Sequence, residues 1–230
     1  MNVIALLPMK GHSERVPGKN LRPMCGEPLF FHVAAALEAC DRVQSIVINT
    51  DSPAIAEAAQ QRFSKVVIHW RPEAIQGDMV SMNRIIADDM ARCQGDHFLQ
   101  THATNPLLSP QTVARAVDAY CSGLGRYDSL FSVTRLQTRL YWESGEAVNH
   151  DPAVLLRTQD LPPVFEENSL LYLFNRDSFA RSGGNRIGRA PQMFATPPSE
   201  SVDIDEEHDF ILAETLMGRR NQTVQKAELP

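Results

Sequence analysis

The chain of 230 residues is poor in several features, and each shortage excludes something. No apolar run approaches the roughly 20 residues that a membrane helix needs; Val3 to Pro8 is among the longest. The N-terminus, MNVIALLPMK, has no basic stretch before its short apolar run and no small-residue cleavage site. It therefore does not read as a signal peptide. Cysteine is scarce, and Cys25, Cys40, Cys93 and Cys121 stand far apart with no CxxC or Cys/His cluster. That spacing argues against a structural zinc site. Reduced cysteines in the core or on helices of a cytoplasmic protein are the simplest reading. Positive charge is short too: 22 Lys+Arg face 28 Asp+Glu, for a formal charge of −6. Chains that grip nucleic acid or an anionic membrane through bulk charge lean the other way, so neither is expected as a partner. An anionic ligand must instead be met by a few local cations.

What is present suits a folded domain. Hydrophobic residues make up 43% and charged residues 22%, with 12 Gly and 15 Pro, a balance that fills a core. The length favours one large α/β unit with an appendage. Short apolar runs at 2–7, 45–49, 65–69, 97–101 and 129–134 read as strands. Helical patterns separate them: Pro28 to Cys40, a helix capped by Ser52-Pro53 and ending near Arg62, Val80 to Cys93, and one capped by Ser109-Pro110. Nearly all-apolar strands alternating with helices predict a mainly parallel sheet covered on both faces. Ligands of such sheets bind at the strands' carboxyl ends, so the loops at 8–20, 49–52, 70–82 and 101–109 are expected on one rim. The rhythm breaks over residues 135–165, which read as an extended arm. Ser169 to Phe174 then returns as a strand, and Glu206 to Met217 as a closing helix. The α/β domain is thus placed at 1–134 and 166–222, with a polar tail at 223–230.

Three segments carry chemistry. The loop Leu7-Pro-Met-Lys-Gly-His-Ser-Glu-Arg-Val-Pro-Gly-Lys-Asn-Leu21 gathers Lys10, Arg15 and Lys19 with Gly11, Gly18 and Ser13. Backbone amides beside glycine approach an anion closely while cations neutralise it. The spacing matches neither GxxxxGK[ST] nor GxGxxG, so P-loop and dinucleotide readings fail; a solvated loop with turn glycines is the alternative. In Ser201-Val-Asp-Ile-Asp-Glu-Glu-His-Asp209, Asp203 and Asp205 are two apart in an extended stretch. Their Cα atoms are then about 6.6 Å apart with both side chains on one face, which suits a shared Mg²⁺ beside phosphates. Local sequence favours the other use of such residues, capping the next helix. Finally, Gln100-Thr-His-Ala-Thr-Asn-Pro-Leu-Leu108 places His102 in a polar turn. It suits substrate binding or a base role, although turn hydrogen bonding is the commoner use.

Loop 7–21 resembles the signature IPARGGSKRIPGKNL of the cytidylyltransferases that activate 2-keto-3-deoxy sugar acids. Further landmarks follow in the family's order: Asn49-Thr-Asp51, Arg71-Pro72-Glu73 with Asp78 and Ser81, Thr104-Asn-Pro-Leu107, Arg157 before Leu161-Pro162, Asn168 with Tyr172, and Asp203-Ile-Asp205. The resemblance is strongest to the CMP-N-acylneuraminate synthetase branch. It implies a Rossmann-like α/β fold and a homodimer in which each arm reaches toward its partner. It also implies CMP transfer from CTP to the anomeric hydroxyl of an acidic sugar, with Mg²⁺ and pyrophosphate release. Lys19 then matches the phosphate-contacting lysine, Lys10 the signature arginine, and Asn20 the asparagine beside the nucleotide. Arg71 and Ser81 fall in the base-recognition stretch. Asp203 and Asp205 match the metal-binding aspartates, which reverses the preference for capping. Arg157, Asn168 and Tyr172 fall where the sugar is held, and His102 aligns with the family's glutamine.

The departures lie beside the phosphates and at the sugar. The guanidinium of the signature is an ammonium at Lys10, and a family lysine is Glu14. The arginine that closes the 102–108 motif is Leu108. Where the family has Arg-Pro-Asn-Gly, this chain has Glu166-Glu167-Asn168-Ser169. Glu14 and Glu166 motivate an alternative, a relative that binds nucleotide without transferring it; another NTP or sugar is a further alternative.

Overall fold

The computed structural model describes residues 1–13 and 15–227, with side chains through 222; Glu14 and residues 228–230 lie outside it. In chain order the elements begin with β1 (Val3–Leu6), β2 (Pro23–Met24), β3 (Glu27–Pro28), α1 (Leu29–Glu38), β4 (Val43–Thr50), α2 (Pro53–Arg62) and β5 (Val66–Trp70). There follow α3 (Met82–Arg92), β6 (His97–Gln100), α4 (Pro110–Gly123), β7 (Ser129–Leu136), β8 (Val164–Asn175), α5 (Arg176–Arg181), β9 (Pro191–Ala195) and α6 (Glu207–Ala227).

Seven strands form one sheet in the order β5-β4-β1-β6-β8-β7-β9. All neighbours are parallel except that β8 runs antiparallel to both β6 and β7. The mainly parallel α/β architecture read from the sequence is the one observed, with one reversed strand inside it. The reversal has a simple cause: no α-helix intervenes between β7 and β8, so β8 returns without a helical crossover.

Alternation along β1 shows why both faces need cover. Val3, Ala5 and Leu7 point into one core with Phe30, Val33, Ile55, Val113 and Tyr120 from α1, α2 and α4. Ile4 and Leu6 point into the other, against Ile86 and Met90 of α3 and Phe179 of α5. With both sets apolar, the strand cannot leave either face in water. A third cluster seats α6 on the β2–β3 hairpin through Met24, Leu29, Ile204, Phe210 and Ala213.

Three boundaries differ from the sequence reading. Pro28 precedes α1 as its N-cap rather than filling the first helical position. The closing helix runs ten residues past Met217 to Ala227, so most of the segment read as a polar tail is helical. The strand read at 169–174 begins at Val164, because its first residues pair with the far end of β7, Leu136 opposite Val164. This ribbon bears the arm, whose other ordered contacts are a bridge between Tyr141 and Ala147 and a short helical turn at Thr158–Asp160. The cysteines are all unpaired, and Cys25 is exposed in the β2–β3 turn rather than in the core or on a helix.

Two helix starts behave as the Ser-Pro pairs predict. Ser52 accepts from the Ile55 N–H and Ser109 from the Thr112 N–H at 3.1 Å. Ser109 also anchors the chain ahead of the acidic pair: its N–H and hydroxyl both reach the Glu200 carboxylate, at 2.9 and 3.0 Å. Ser109→Ala removes a cap and half of that anchor. We expect a loss of about 1–2 kcal/mol, read as a fall of several °C in Tm by calorimetry.

Candidate active site

A cavity of about 400 Å³ opens at the carboxyl ends of β1, β5 and β6. Lys10, Ser13, Arg15, Lys19 and Asn20 line it from the first loop, Arg71 and Asp78 from the loop after β5, and His102 and Thr104 from the loop after β6. Asp51 joins the rim through its carboxylate, which accepts the Gly11 N–H at 2.7 Å. The four loops expected on one rim therefore meet there. Gly11 has a local reason to be glycine, since a Cβ there would lie 2.9 Å from Ser52 Cβ.

The first loop is held open by its own residues. Asn20 donates its side-chain amide to the Lys10 carbonyl at 2.9 Å, so it closes the loop on itself. Val16 is buried beneath it, and Gly18 takes a left-handed φ of 62°, which glycine adopts without penalty. The cations thus face the cavity, each already engaged by an acceptor. Lys10 pairs with Asp78, Arg15 with Asp205 at 2.5 Å and Glu206 at 3.7 Å, and Lys19 donates to the Ile204 carbonyl. Burial lowers the Lys19 pKa, while Asp205 and Asp203 act to raise it.

The acidic pair sits against the same loop. Ile204 is buried and its N–H bonds the Thr104 carbonyl at 2.9 Å, which turns Asp203 and Asp205 toward Lys19 and Arg15. The Asp205 and Glu206 N–H groups ahead of α6 turn to the Asp209 carboxylate, at 3.1 and 2.8 Å. Capping at this end is thus the work of Asp209, and Asp203 and Asp205 are left to face the cations. Burial pushes the Asp203 pKa up, as does Asp205, against a lowering hydrogen bond from Thr104. Asp203 Oδ1 is buried and has no hydrogen-bond partner among the described residues.

Arg71 is buried and anchored twice to Asn49, Nε to the side-chain oxygen at 2.8 Å and Nη2 to the carbonyl at 2.9 Å. Ser81, also expected near the base, is exposed at the start of α3 and does not line the cavity.

The model of the cytidylyltransferase family matches residues 4–216. The chain belongs to the cytidylyltransferase family. It is 27% identical over 94% of its length to the CMP-N,N'-diacetyllegionaminic acid synthase of Legionella pneumophila, 97% of which is covered. It is 29% identical over 93% of its length to N-acylneuraminate cytidylyltransferase A of Danio rerio, and spans 50% of that longer protein. A solved structure of CMP:2-keto-3-deoxy-manno-octonic acid synthetase complexed with CTP shares the fold, with a TM-score of 0.69 at 15% identity over 96% of this chain and all of the other. The chain is thus a nucleotidyltransferase on a Rossmann-like fold.

In this cytidylyltransferase the residues expected at the sugar separate into two groups. His102 and Tyr172 remain near the cavity. Gln100 Nε2 donates to the Thr101 carbonyl at 2.8 Å and approaches His102 Nε2 at 3.1 Å, so His102 Nε2 accepts and its proton sits on Nδ1. The Tyr172 hydroxyl bonds Glu167 and, at 3.2 Å, Ser169; burial raises its pKa to about 12. Asn168 is spent on the sheet, within hydrogen-bonding reach of Thr134, Thr196 and Ser201. Arg157 projects from the arm with its side chain 74% exposed and paired to Asp160 at 2.7 Å; it does not reach this cavity. Glu166 is exposed on the ribbon opposite Thr134, and Glu14 lies outside the described residues. Sequence reasoning missed Arg186, which stands in a segment without a motif, and passed over Gln100, whose segment was read for His102.

His102 is driven neutral. Burial, then the charges of Arg186 and Lys19, push its pKa down to about 3, below the ordinary value near 6.5. As pH falls from about 6.5, the unfolded chain takes up a proton that the folded chain refuses, so folding loses stability until pH nears 3. His102→Gln removes that loss. Its Tm is expected to fall less than the parent's between pH 7 and 5, by the equivalent of roughly 1–2 kcal/mol, as measured by calorimetry across pH.

Proposed function

We propose that this cytidylyltransferase moves CMP from CTP to the anomeric hydroxyl of a sialic-acid-like 3-deoxy sugar acid, releasing pyrophosphate. The observation that carries the reading is the convergence of Lys10, Arg15 and Lys19 on one cavity, with Asp203 and Asp205 set against two of these cations. The names of the relatives supply the sugar class. The sugar oxygen attacks the α-phosphorus, the bond to the β-phosphate oxygen breaks, and the hydroxyl proton passes to solvent. Most of the catalysis is then positioning and charge neutralisation. Lys19 and Arg15 neutralise the triphosphate, Lys10 adds charge at the mouth, and Arg71 presents a fixed guanidinium to the nucleotide.

The donor set fits Mg²⁺. Two carboxylates, one with a buried oxygen left unpartnered, are the hard oxygen ligands this ion takes. Asp203 and Asp205 would hold it, and it would supply charge to the triphosphate and the leaving pyrophosphate. Asp205 must give up Arg15 in exchange, a swap of one exposed ion pair.

The arm supports a homodimer. Trp142 is 62% exposed and Leu155 89%, with Tyr141, Val154 and Leu156 also uncovered, an apolar set that water disfavours. A second copy covering it would also bring Arg157 toward the partner's cavity. No described helix is long and apolar enough to cross a membrane, which is compatible with a cytoplasmic enzyme.

Two measurements test these readings. With CTP, Mg²⁺ and a panel of sugar acids, pyrophosphate release is expected with at least one acid. Asp205→Asn should cut that rate by a factor of about 100 or more with an unchanged circular dichroism spectrum; no release by the parent protein with any acid refutes the transfer. For the arm, Leu155→Asp should shift the species seen by sedimentation from dimer to monomer, and an unshifted dimer removes the arm from the interface.

A further inference from the structure

Arg186 approaches the cavity wall from a different part of the chain than Arg15 and Arg71. It comes from the 182–190 loop between α5 and β9, and its guanidinium lies 3.6 Å over the Tyr172 ring centroid. It donates from Nη1 to the side-chain oxygen of Gln100, whose amide in turn reaches His102 at 3.1 Å on the cavity wall. Gln100 and His102 thus link the guanidinium to the cavity wall.

We infer that Arg186 receives the carboxylate of the sugar acid and so selects an acidic acceptor. The inference rests on the cytidylyltransferase reading above. Among the described residues no salt bridge to Arg186 is found; its hydrogen bonds go to neutral groups, the Gln100 amide and the Tyr172 side chain. Arg15 at the cavity faces a carboxylate, whereas Arg71 is, like Arg186, without an ion pair among these residues but is fixed twice by Asn49. The acid closest to it in influence, Glu167, is engaged by the Tyr172 hydroxyl. A half-buried cation whose nearest acid is already engaged elsewhere is costly to hold, and burial lowers its pKa. An incoming carboxylate removes that cost.

Geometry favours this anion over a phosphate. Stacking on Tyr172 holds the guanidinium plane still and leaves its N–H edge for a planar, bidentate acceptor. Gln100 uses one N–H of that edge and fixes its rotation. Glu166, which stands where the resembling family carries an arginine, then deprives the site of no necessary charge. The cation enters from the 182–190 loop instead.

Binding is read by calorimetry on the full chain with Mg²⁺ and the α,β-methylene analogue of CTP, which cannot turn over. The ligands are N-acetylneuraminic acid, N,N'-diacetyllegionaminic acid and 2-keto-3-deoxy-manno-octonic acid, each beside its methyl ester. The parent protein should bind at least one acid and prefer it to the ester by about 30-fold or more, as a charge-assisted bidentate pair does. Arg186→Ala should weaken that acid about 30- to 100-fold and abolish the preference, leaving the affinity for the analogue within about twofold. Arg186→Lys, which keeps the charge and loses the fork, should fall between, and it carries the test if the alanine variant does not fold. An unchanged acid affinity in both variants, or no acid bound by the parent, overturns the assignment. Pyrophosphate release with CTP on the same proteins separates the two claims. Acid binding lost in the variants, with no turnover by the parent, would sustain Arg186 and refute the transfer. Turnover with an unchanged sugar KM in the variants would do the reverse.

Discussion

The Lys19 ammonium, donated to the Ile204 carbonyl between Asp203 and Asp205, is the contact on which the rest of the cavity depends. It ties the first loop to a segment 185 positions away. That segment is in turn fixed by Ile204 on Thr104 and by Glu200 on Ser109. Three chain regions distant in sequence are thereby held at one sheet edge. Without the lysine, two carboxylates would face each other across a partly dry gap, and Asp203 is already disfavoured as an anion by burial.

The formal charge of −6 takes on a layout in this light. Each cation at the mouth is countered by an acid from another loop: Lys10 by Asp78, Arg15 by Asp205 and Glu206. These pairs are exposed, and such pairs contribute at most about 1 kcal/mol each. A polyphosphate displaces them at small cost, because it offers the same cations more charge. The acidic balance is thus no obstacle to an anionic ligand. It keeps the cations compensated and extended toward the cavity until one arrives.

Much of this was legible in the residues. The Ser-Pro pairs at 52–53 and 109–110 announced their helices because the hydroxyl cap and the fixed proline φ act locally. The phosphate loop was legible because glycines and cations are contiguous there. The use of Asp203 and Asp205 was not settled locally; it depended on Asp209, four residues on, taking over the N–H groups ahead of α6. The meeting of Arg186 with Gln100 left no signal, since it is made by the antiparallel return of β8, which stands Tyr172 opposite Gln100. A reversed strand leaves no trace in apolar periodicity. Ser169 shows the same limit: its φ of 56° is a left-handed turn where the resembling family has glycine, and its hydroxyl then reaches Tyr172.

The two walls of the cavity are built on different physics. At the mouth, Lys10 and Arg15 are long and exchangeable in exposed ion pairs, which suits a ligand recognised by charge. Arg71 is the opposite case. Asn49, fully buried, holds it from beneath, and Asn49 is itself held by Asp89 at 2.8 Å. Asp89 also engages His69 at 2.8 Å and Arg92 at 3.4 Å. A buried carboxylate with several donors is hard to rearrange, since breaking any one contact leaves charge uncompensated. Arg186, stacked on Tyr172 and hydrogen-bonded to Gln100, follows the same rule. Groups that must tell one planar ligand from another are held still before the ligand comes, because ordering them on binding would consume the discrimination they provide. Groups that only neutralise charge are free of that requirement, and in this chain they are the ones left exposed.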